Sequence, residues 1–365
     1  MFETSNNKVI IFGPEIWPLQ ENGGVSRYCF ELINNLDELG LNIKVLIGPN
    51  KNVYPDRINP NLVVKLADQS NQELKSAISE IMKEHESGIY HATYFDSNFM
   101  KIAKNFNLKT FVTVHDLIGE IFPTKIKWFQ TRNRSQEIST KLSDCVIAVS
   151  ENTKKDIIQF YKIESQKIHV IHLGVSEMKP AQLQGNTVKQ PFVIHVGKRE
   201  GYKNFLFTVN SISRCKNLNQ LNIVAFGGGN LTSEEARRIE NLGMTSRFQY
   251  IEGDDSILAA LYKSAAALVY PSLYEGFGIP PLEAMRYKCP VIASNRASLP
   301  EVCGKEIFYI DPISEKSLQD ALLKVLSNRS GYSKELAYLH SMTYSWKKTG
   351  KATFALYESI LVSSR

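Results

Sequence analysis

Short runs of apolar residues recur along the chain, separated by longer stretches in which apolar residues follow the spacing of a helix. In the first half these runs lie at 9–12, 43–47, 110–114 and 145–149. The stretch 28–36 places apolar side chains at helical intervals between two of them. Buried strands that alternate with amphipathic helices are typical of a parallel sheet with helices on both faces. The pattern predicts an α/β fold of the doubly wound class.

The same alternation restarts in the second half, with apolar runs at 192–196, 221–226, 266–270 and 291–293. A chain of 365 residues is also longer than most single hydrophobic cores. We therefore expect two Rossmann-like domains, each with its own parallel sheet.

A segment with few apolar residues separates the halves at 176–187 and contains proline and glycine, as a connection between domains does. This places an N-terminal domain at 1–178 and a C-terminal domain at 179–345. The last segment, 346–365, has apolar residues at helical spacing and predicts a terminal amphipathic helix.

The charge balance excludes some classes of function. A net charge of +6 is compatible with a phosphorylated ligand or an anionic membrane surface. It is too small to indicate nucleic-acid binding, and no DNA or RNA recognition motif accompanies it. No apolar run is long enough to cross a bilayer, and the first residues do not form a secretory leader. The five scattered cysteines include no C-x-x-C pair, which favours reduced core residues in a cytoplasmic protein.

Two carboxylates bracket a glycine-containing loop at 272–283, directly after a predicted strand. Glu275 lies in the loop, and Glu283 lies on the helix that Pro280 and Pro281 begin. The alternative is that both are surface carboxylates. The context of strand, loop and helix favours a site for a phosphorylated sugar, because acidic groups can bind hydroxyls while free amides receive phosphate.

A basic turn, 197–204, follows the first strand of the second half and contains the cations Lys198, Arg199 and Lys203. It begins at a glycine, contains a second glycine and ends at an asparagine. A departing diphosphate needs such charge neutralisation. The alternative is a solvated basic loop. The turn after the next strand, Gly227-Gly228-Gly229, either lines a nucleotide pocket or is a plain loop.

The first strand-to-helix junction, 13–28, lacks the G-x-G-x-x-G turn of a nicotinamide-type dinucleotide site. Gly23 and Gly24 still allow a ligand to approach the backbone before a helix, although a flexible turn explains an isolated pair equally well. After the strand at 110–114, His115 is placed to bind a sugar hydroxyl. Alternatively, His115 is a core residue and Asp116 caps the next helix.

Taken together, these motifs resemble the family-four retaining glycosyltransferases of the GT-B fold, the glycosyltransferase group 1 type, over nearly the full length of the chain. The most specific block is 270–304, in which Glu275 and Glu283 stand eight positions apart as the family's pair of glutamates does. The resemblance implies two Rossmann-like domains facing a cleft. The N-terminal domain would hold the acceptor and the C-terminal domain a nucleotide-diphosphate sugar, and the final helix would pack back on the first domain.

The resemblance also implies roles for the donor-binding residues. Glu283 would bind the ribose hydroxyls, and Ile279 would lie at the phosphate region. The transferred sugar would contact Glu275 and the amides of Gly276, Phe277 and Gly278.

The resemblance also implies which residues contact the diphosphate and which residues contact the donor from the N-terminal domain. Arg199 and Lys203 would neutralise the departing diphosphate, with Arg199 chosen over Lys198, where many relatives place an arginine. His115 would approach the sugar from the other domain, and the Gly23-Gly24 pair would cover the diphosphate. No metal and no cofactor are expected.

The implied activity is retaining transfer of a hexose to a glycan acceptor, in surface polysaccharide or lipopolysaccharide biosynthesis. The form of the 275–283 motif resembles that of mannosyltransferases that use GDP-mannose, so mannose from GDP-mannose is the expected donor, and the acceptor is expected to be a lipid-linked glycan. The alternative is a GT-B nucleotide-sugar epimerase, which shares the nucleotide site but consumes no acceptor. Two chemical routes stay open, a covalent intermediate on Glu275 and a front-face transfer, of which we favour the second.

The segment 121–134 mixes aromatic residues with the cations Lys125, Lys127, Arg132 and Arg134. One interpretation is a peripheral contact with the inner face of the plasma membrane. The other is a solvated helix that packs its aromatic residues inward.

Overall fold

A computed structural model describes residues 7–123, 127–182, 188–199, 201–327 and 332–362. The chain divides into two compact units, one of Met1–Gly174 with Ser345–Arg365 and the other of Val175–Tyr344. Each unit contains one parallel sheet with helices around it, so the prediction of two Rossmann-like α/β domains is confirmed.

The sheet of the first unit has seven parallel strands in the order β3-β2-β1-β4-β5-β6-β7. The strands are β1 (Lys8–Phe12), β2 (Ile43–Ile47), β3 (Val63–Lys65), β4 (Ser87–Ala92), β5 (Leu108–Val114), β6 (Cys145–Ala148) and β7 (Ile168–Val170). In β1, Ile10 pairs with Ile43 on one side and with Ile89 on the other. Burial on both faces explains why these strands are nearly continuous apolar runs.

The sheet of the second unit has six parallel strands in the order β10-β9-β8-β11-β12-β13. The strands are β8 (Phe192–Val196), β9 (Asn222–Phe226), β10 (Phe248–Ile251), β11 (Ala267–Tyr270), β12 (Val291–Ser294) and β13 (Phe308–Ile310).

Helices connect successive strands in both units. In the first unit they are α1 (Gly24–Asp37), α2 (Asn71–Ile81), α3 (Ser97–Lys104), α4 (Ile118–Ile121), α5 (Lys127–Leu142) and α6 (Glu151–Tyr161). In the second unit they are α7 (Phe205–Ser213), α8 (Ser233–Asn241), α9 (Asp255–Ser264), α10 (Ile279–Arg286), α11 (Leu299–Cys303), α12 (Glu315–Leu326) and α13 (Lys334–Ser341). The last helix, α14 (Trp346–Val362), belongs to the first unit.

Helix α14 packs against α1 at small residues. A Cβ on Gly350 would lie 2.9 Å from the Cβ of Asn35, so a side chain larger than hydrogen would force the two helices apart. Further along, the hydroxyl of Tyr357 hydrogen-bonds Nδ1 of His91 on β4. Both contacts join the end of the chain to the first unit.

The strand order fixes where each sheet can bind a ligand. In the first sheet the chain leaves β1 toward β2 on one side and returns to β4 on the other; β8, β9 and β11 have the same relation in the second. Loops at the carboxyl ends of β1 and β4, and of β8 and β11, therefore diverge and leave a crevice. Such a reversal of strand order is where open α/β sheets bind their ligands.

Each of the five cysteines is free, and Cys215 is half-buried while the other four are buried. Within the described part of the chain, no helix combines the length and the apolarity needed to cross a bilayer.

Candidate active site

A lysine and a glutamate meet at the crevice of the second sheet. Lys203 ends a short 3₁₀ helix (Gly201–Lys203) after β8, and Glu275 lies in the loop after β11. Lys203 Nζ is 2.7 Å from Glu275 Oε1 and donates to the hydroxyl of Tyr270 at 2.9 Å. The two charged side chains are only 15% and 9% exposed. The structure thus joins two residues that the sequence separates by more than 70 positions.

The phenol of Tyr270 stays neutral beside this pair. Burial, with the nearby negative charge of Glu275, raises the pKa of Tyr270 well above its ordinary value. The neutral hydroxyl accepts a hydrogen bond from Lys203. Two oxygen atoms, one from Tyr270 and one from Glu275, therefore hold the ammonium of Lys203 in a fixed position.

Glu283 lies on α10 and is also buried, at 4% exposure. Its Oε2 accepts a hydrogen bond from the hydroxyl of Tyr262 on α9 at 3.3 Å. The interpretation of Glu275 and Glu283 as surface carboxylates is therefore wrong. Buried carboxylates with hydrogen-bond partners are held in fixed orientations, as ligand-binding groups must be.

The glycine loop between the two glutamates has a geometry that requires glycine. Gly278 has φ = +105°, and a Cβ there would lie 2.7 Å from Cδ2 of Leu299. Gly276 and Phe277 are buried with it, and Ile279 is the half-buried first residue of α10. The backbone of the loop thus leads directly into the first turn of α10.

Ser298 holds this loop from behind, and sequence reasoning missed it. Its hydroxyl is 2.8 Å from the carbonyl oxygen of Glu275 and 2.9 Å from that of Phe277. The serine is fully buried just before α11. Its place in the 270–304 block was the only signal available, because the sequence does not reveal which carbonyls a serine will contact.

Arg199 is placed differently from the expectation. Its side chain is only 2% exposed, and Nε is 3.2 Å from Glu235 Oε1. The other nitrogens donate to the carbonyl oxygens of Gly227 at 2.9 Å, Gly229 at 2.7 Å and Asn230 at 2.8 Å. This guanidinium binds the glycine turn and Glu235, and its expected forked contact with a diphosphate stays a prediction.

The glycine turn that Arg199 binds lies against the basic turn itself. Gly227, Gly228 and Gly229 have φ values of +70°, +79° and +78°. A Cβ on Gly228 would lie 2.5 Å from the carbonyl oxygen of Gly197. Within the described residues of the basic turn, Lys198 is exposed to solvent.

In the first unit, His115 lies directly after β5 and contacts α1. Its ring meets the ring of Tyr28 edge-on, with centroids 4.8 Å apart. Burial, with the nearby charge of Arg132, lowers the pKa of His115 to about 4. The imidazole is therefore neutral near pH 7 and can either donate or accept a hydrogen bond.

Behind His115 runs a chain of buried hydrogen bonds. The hydroxyl of Tyr28 is 2.9 Å from Thr113 Oγ1, which is 3.0 Å from Nε2 of His91. His91 is thus a satisfied core residue. Asp116 Oδ1 accepts from the backbone nitrogen of Ile118 at 3.1 Å, but the N-cap residue of α4 is Leu117, so the interpretation of Asp116 as the N-cap is wrong.

The Gly23-Gly24 pair lies at the start of α1. Gly23 is the N-cap residue and supplies no side chain to the helix; instead Gln20 Oε1 accepts from the backbone nitrogen of Ser26 at 3.2 Å. A Cβ on Gly23 would meet the Gln20 carboxamide, the end of a half-exposed side chain that would have to move. A Cβ on Gly24 meets nothing within 4 Å, so the fold does not require glycine at that position.

The basic-aromatic segment 121–134 is only partly described. Lys125 lies outside the described residues, as do the side chains of Lys127, Trp128 and Phe129. Arg132 lies over the ring of Tyr94, with Cζ 5.6 Å from the ring centroid. Membrane contact by this segment stays a prediction.

Among the described residues, no group of three or more His, Cys, Asp and Glu side chains is arranged to hold a metal ion.

Two family models match the chain and together span most of it. "Glycosyl transferases group 1" matches residues 179–344, and "Glycosyltransferase Family 4" matches residues 22–178. The chain belongs to the group 1 glycosyltransferases. The resemblance inferred from the two glutamates and the basic turn is confirmed by these matches.

Curated relatives of this glycosyltransferase include bacterial mannosyltransferases. The O-antigen chain mannosyltransferase RfbU of Salmonella typhimurium is 30% identical over 59% of this chain and 60% of its own length. The serotype-specific mannosyltransferase WbdA of Escherichia coli is 27% identical over 72% of this chain and 35% of its own length. The matches thus span less than two thirds of these relatives. Their names give the epimerase alternative no support.

Solved structures confirm the GT-B fold. Sucrose-phosphate synthase of Thermosynechococcus elongatus aligns over 98% of this chain and 100% of its own, with a TM-score of 0.76 and 18% identity. Anabaena Alr3699/HepE, in complex with UDP and glucose, aligns over 97% of this chain and 100% of its own, with a TM-score of 0.75 and 14% identity.

Proposed function

We propose that this glycosyltransferase is a retaining hexosyltransferase that uses a nucleotide-diphosphate sugar in surface polysaccharide biosynthesis. The observation that carries the proposal is the Lys203–Glu275 pair at the crevice of the second sheet. A partly buried cation and a buried carboxylate lie together at the position where α/β sheets bind phosphorylated ligands.

Lys203 and Glu275 carry charges of opposite sign, and sugar transfer develops both a negative and a positive charge. As the bond between the sugar and the diphosphate breaks, negative charge grows on the diphosphate and positive charge on the sugar ring. Lys203 would stabilise the first, and Glu275 would orient a sugar hydroxyl and stabilise the second. Glu283, held by Tyr262, would bind the ribose hydroxyls of the nucleotide.

We favour the front-face route over a covalent intermediate on Glu275. In this route the bond from the acceptor oxygen to the anomeric carbon forms on the face from which the diphosphate leaves. The acceptor proton passes to the departing phosphate oxygen. The hydrogen bond between Lys203 and Glu275 supports this choice, because an ion-paired carboxylate is a weaker nucleophile.

For the donor we propose GDP-mannose, and for the acceptor a lipid-linked glycan. The support is the naming of relatives such as RfbU and WbdA as mannosyltransferases. Peripheral contact with the inner face of the plasma membrane would bring a lipid-linked acceptor within reach. Lys203 is the diphosphate ligand in this proposal, with Lys198 as the second cation, since Arg199 is bound to the glycine turn.

A donor panel tests the proposal. Thermal unfolding is measured with GDP-mannose, GDP, UDP-glucose, UDP-galactose and dTDP-glucose, because a ligand that binds the folded state raises its melting temperature. We expect the largest rise with GDP-mannose and a smaller rise in Lys203→Ala; Lys263→Ala, an exposed lysine on α9, is the matched control. Product analysis with a mannose-containing glycan then separates transfer from epimerisation. Equal shifts from all donors would contradict the choice of GDP-mannose.

A further inference from the structure

A buried carboxylate that the proposed reaction does not use lies at the crevice of the first sheet. Glu15, in the loop between β1 and α1, is 6% exposed. Its Oε1 accepts from the hydroxyl of Tyr90 at 2.5 Å, and its Oε2 accepts from the backbone nitrogen of Thr93 at 3.0 Å. Both donors belong to the carboxyl end of β4, so Glu15 binds the β1–α1 loop to the strand on the other side of the crevice.

The close packing of this loop depends on Gly13. A Cβ on Gly13 would collide with the carboxylate of Glu15 and with the hydroxyl of Tyr90. The carboxylate therefore folds back across the backbone of its own loop.

The hydroxyl of Thr93 lies within hydrogen-bond distance of two acceptors but has only one hydrogen to donate. Its oxygen is 2.8 Å from Glu15 Oε2 and 2.9 Å from the carbonyl oxygen of Gly13, and it accepts from the backbone nitrogen of Ile16 at 3.2 Å. A hydroxyl carries one hydrogen. Thr93 can donate to Gly13 or to an ionised Glu15, but not to both.

The protonation state of Glu15 decides between these two arrangements. A protonated Glu15 donates its own hydrogen to Thr93, which frees the threonine hydrogen for the carbonyl of Gly13. An ionised Glu15 takes the threonine hydrogen, and the carbonyl of Gly13 loses its donor. A buried carbonyl without a partner is costly, so the loop is held more tightly in the protonated state.

We propose that Glu15 is a positioning residue for the proposed transfer reaction: by gaining or losing a proton it sets how tightly the loop that leads to Gly23-Gly24 is bound to β4. The inference rests on the proposed function, together with the role that the family resemblance implies for Gly23-Gly24 in covering the donor's diphosphate. The loop reaches the glycines through Gln20, whose side chain accepts from Ser26 in the first turn of α1.

The charge change falls within the physiological range. Burial raises the pKa of Glu15 from 4.5 to about 7, against the opposing hydrogen bonds of Tyr90 and Thr93. Cys29 on α1 also faces Glu15, and Asp96 at the start of α3 faces Tyr90. Burial raises the pKa of Tyr90 and of the Cys29 thiol, so both stay neutral near pH 7.

The nearby histidines do not change charge in the same range. Burial lowers the pKa of His91 to about 3 and that of His115 to about 4. Both are therefore neutral from pH 6 to pH 8. A change in loop behaviour over this range is then traced to Glu15.

The test follows donor KM and melting temperature from pH 6 to pH 8 in the full chain. Loss of the Gly13 hydrogen bond is expected to raise the wild-type donor KM by roughly 2- to 10-fold as pH rises. The melting temperature should fall over the same range, because the folded-state pKa of Glu15 lies above its unfolded value. Glu15→Gln cannot ionise and should lose both changes.

Two further variants keep the test independent of folding defects. Tyr90→Phe removes a donor that favours the ionised carboxylate, so it should move the midpoint of both changes to higher pH. A residue with only a structural role would not shift a midpoint. Glu21→Gln, an exposed carboxylate on the same loop, is the matched control and should behave as the wild type.

The outcomes separate this inference from the proposed function. If Glu15→Gln retains the wild-type pH dependence of melting and of donor KM, Glu15 is not the switch. If no nucleotide sugar supports transfer but the pH dependence of melting disappears in Glu15→Gln, the transferase proposal fails and the role of Glu15 in holding the loop stands.

Discussion

At the residue scale, the chemistry of this glycosyltransferase depends on partners that are distant in sequence. The sequence predicts both Lys203 and Glu275 as site residues, because each follows a predicted strand in a charged or glycine-containing loop. Their hydrogen bond could not be predicted, since it depends on β8 and β11 being neighbours in the sheet. Ser298 and Gln20 were missed for a related reason: both act on backbone groups, and sequence alone does not show where those groups point.

Glu275→Gln should lower the rate of sugar transfer by about 10²- to 10³-fold, because it removes the charge that faces the developing positive charge on the sugar. The amide oxygen can still accept from Lys203, but the largely buried ammonium loses its counter-charge, so the melting temperature should fall as well. Steady-state transfer rates and thermal unfolding measure the two effects. Lys203→Ala should lose a similar factor in rate.

Glu240→Gln, an exposed glutamate on α8, serves as the control for Glu275→Gln and should keep wild-type activity. Near-normal transfer by both Glu275→Gln and Lys203→Ala would rule out the pair as the reacting site.

At the element scale, buried polar side chains fix the loops that leave the carboxyl edges of both sheets. Arg199 joins the turn after β8 to the glycine turn after β9 and to α8. Glu235 takes part in this contact while forming a capping box at the start of α8 with Thr232. The sequence predicted the turn and its positive charge. It could not distinguish a cation facing a ligand from one buried beneath the loop, because burial depends on the packing of the next strand.

Arg199→Met should destabilise the chain by about 3–5 kcal/mol, because it leaves Glu235 buried without its cation and three carbonyl oxygens without a donor. Urea unfolding followed by circular dichroism gives the free energy of unfolding. Arg237→Met, at an exposed position on α8, should change it by less than about 0.5 kcal/mol. If Arg199→Met has wild-type stability but binds the donor more weakly, Arg199 is a diphosphate ligand and not a structural residue.

At the scale of the whole molecule, much of the fold followed from the sequence, because parallel strands buried on both faces leave an unambiguous record of short apolar runs. The two units and their sheets appear where those runs lie, and the family matches agree with the block around the two glutamates. The buried groups in each unit, such as Glu15, were not predicted. A glutamate after a strand is usually exposed, and only the position of Tyr90 and Thr93 across the crevice shows otherwise.

Both units also bury neutral histidines, and this gives the molecule a predictable response to acid. Burial lowers the pKa of His91 to about 3 and those of His115 and His195 to about 4. The unfolded chain, with a histidine pKa near 6.5, binds these protons more readily. Each histidine therefore favours the folded state fully above pH 6.5 and loses that contribution as pH falls toward its folded-state pKa.

His195→Phe isolates one of these contributions. The new ring keeps the packing against Phe205, where the ring centroids are 5.1 Å apart, but cannot take up a proton. Between pH 6 and pH 4.5 the free energy of unfolding should fall less steeply than in the wild type, by about 1.4 kcal/mol per pH unit. Phe205→Leu disturbs the same contact without removing a titrating group, so it should lower stability equally at every pH. An unchanged slope in His195→Phe would show that His195 is already charged in the folded protein or that another group controls the acid response.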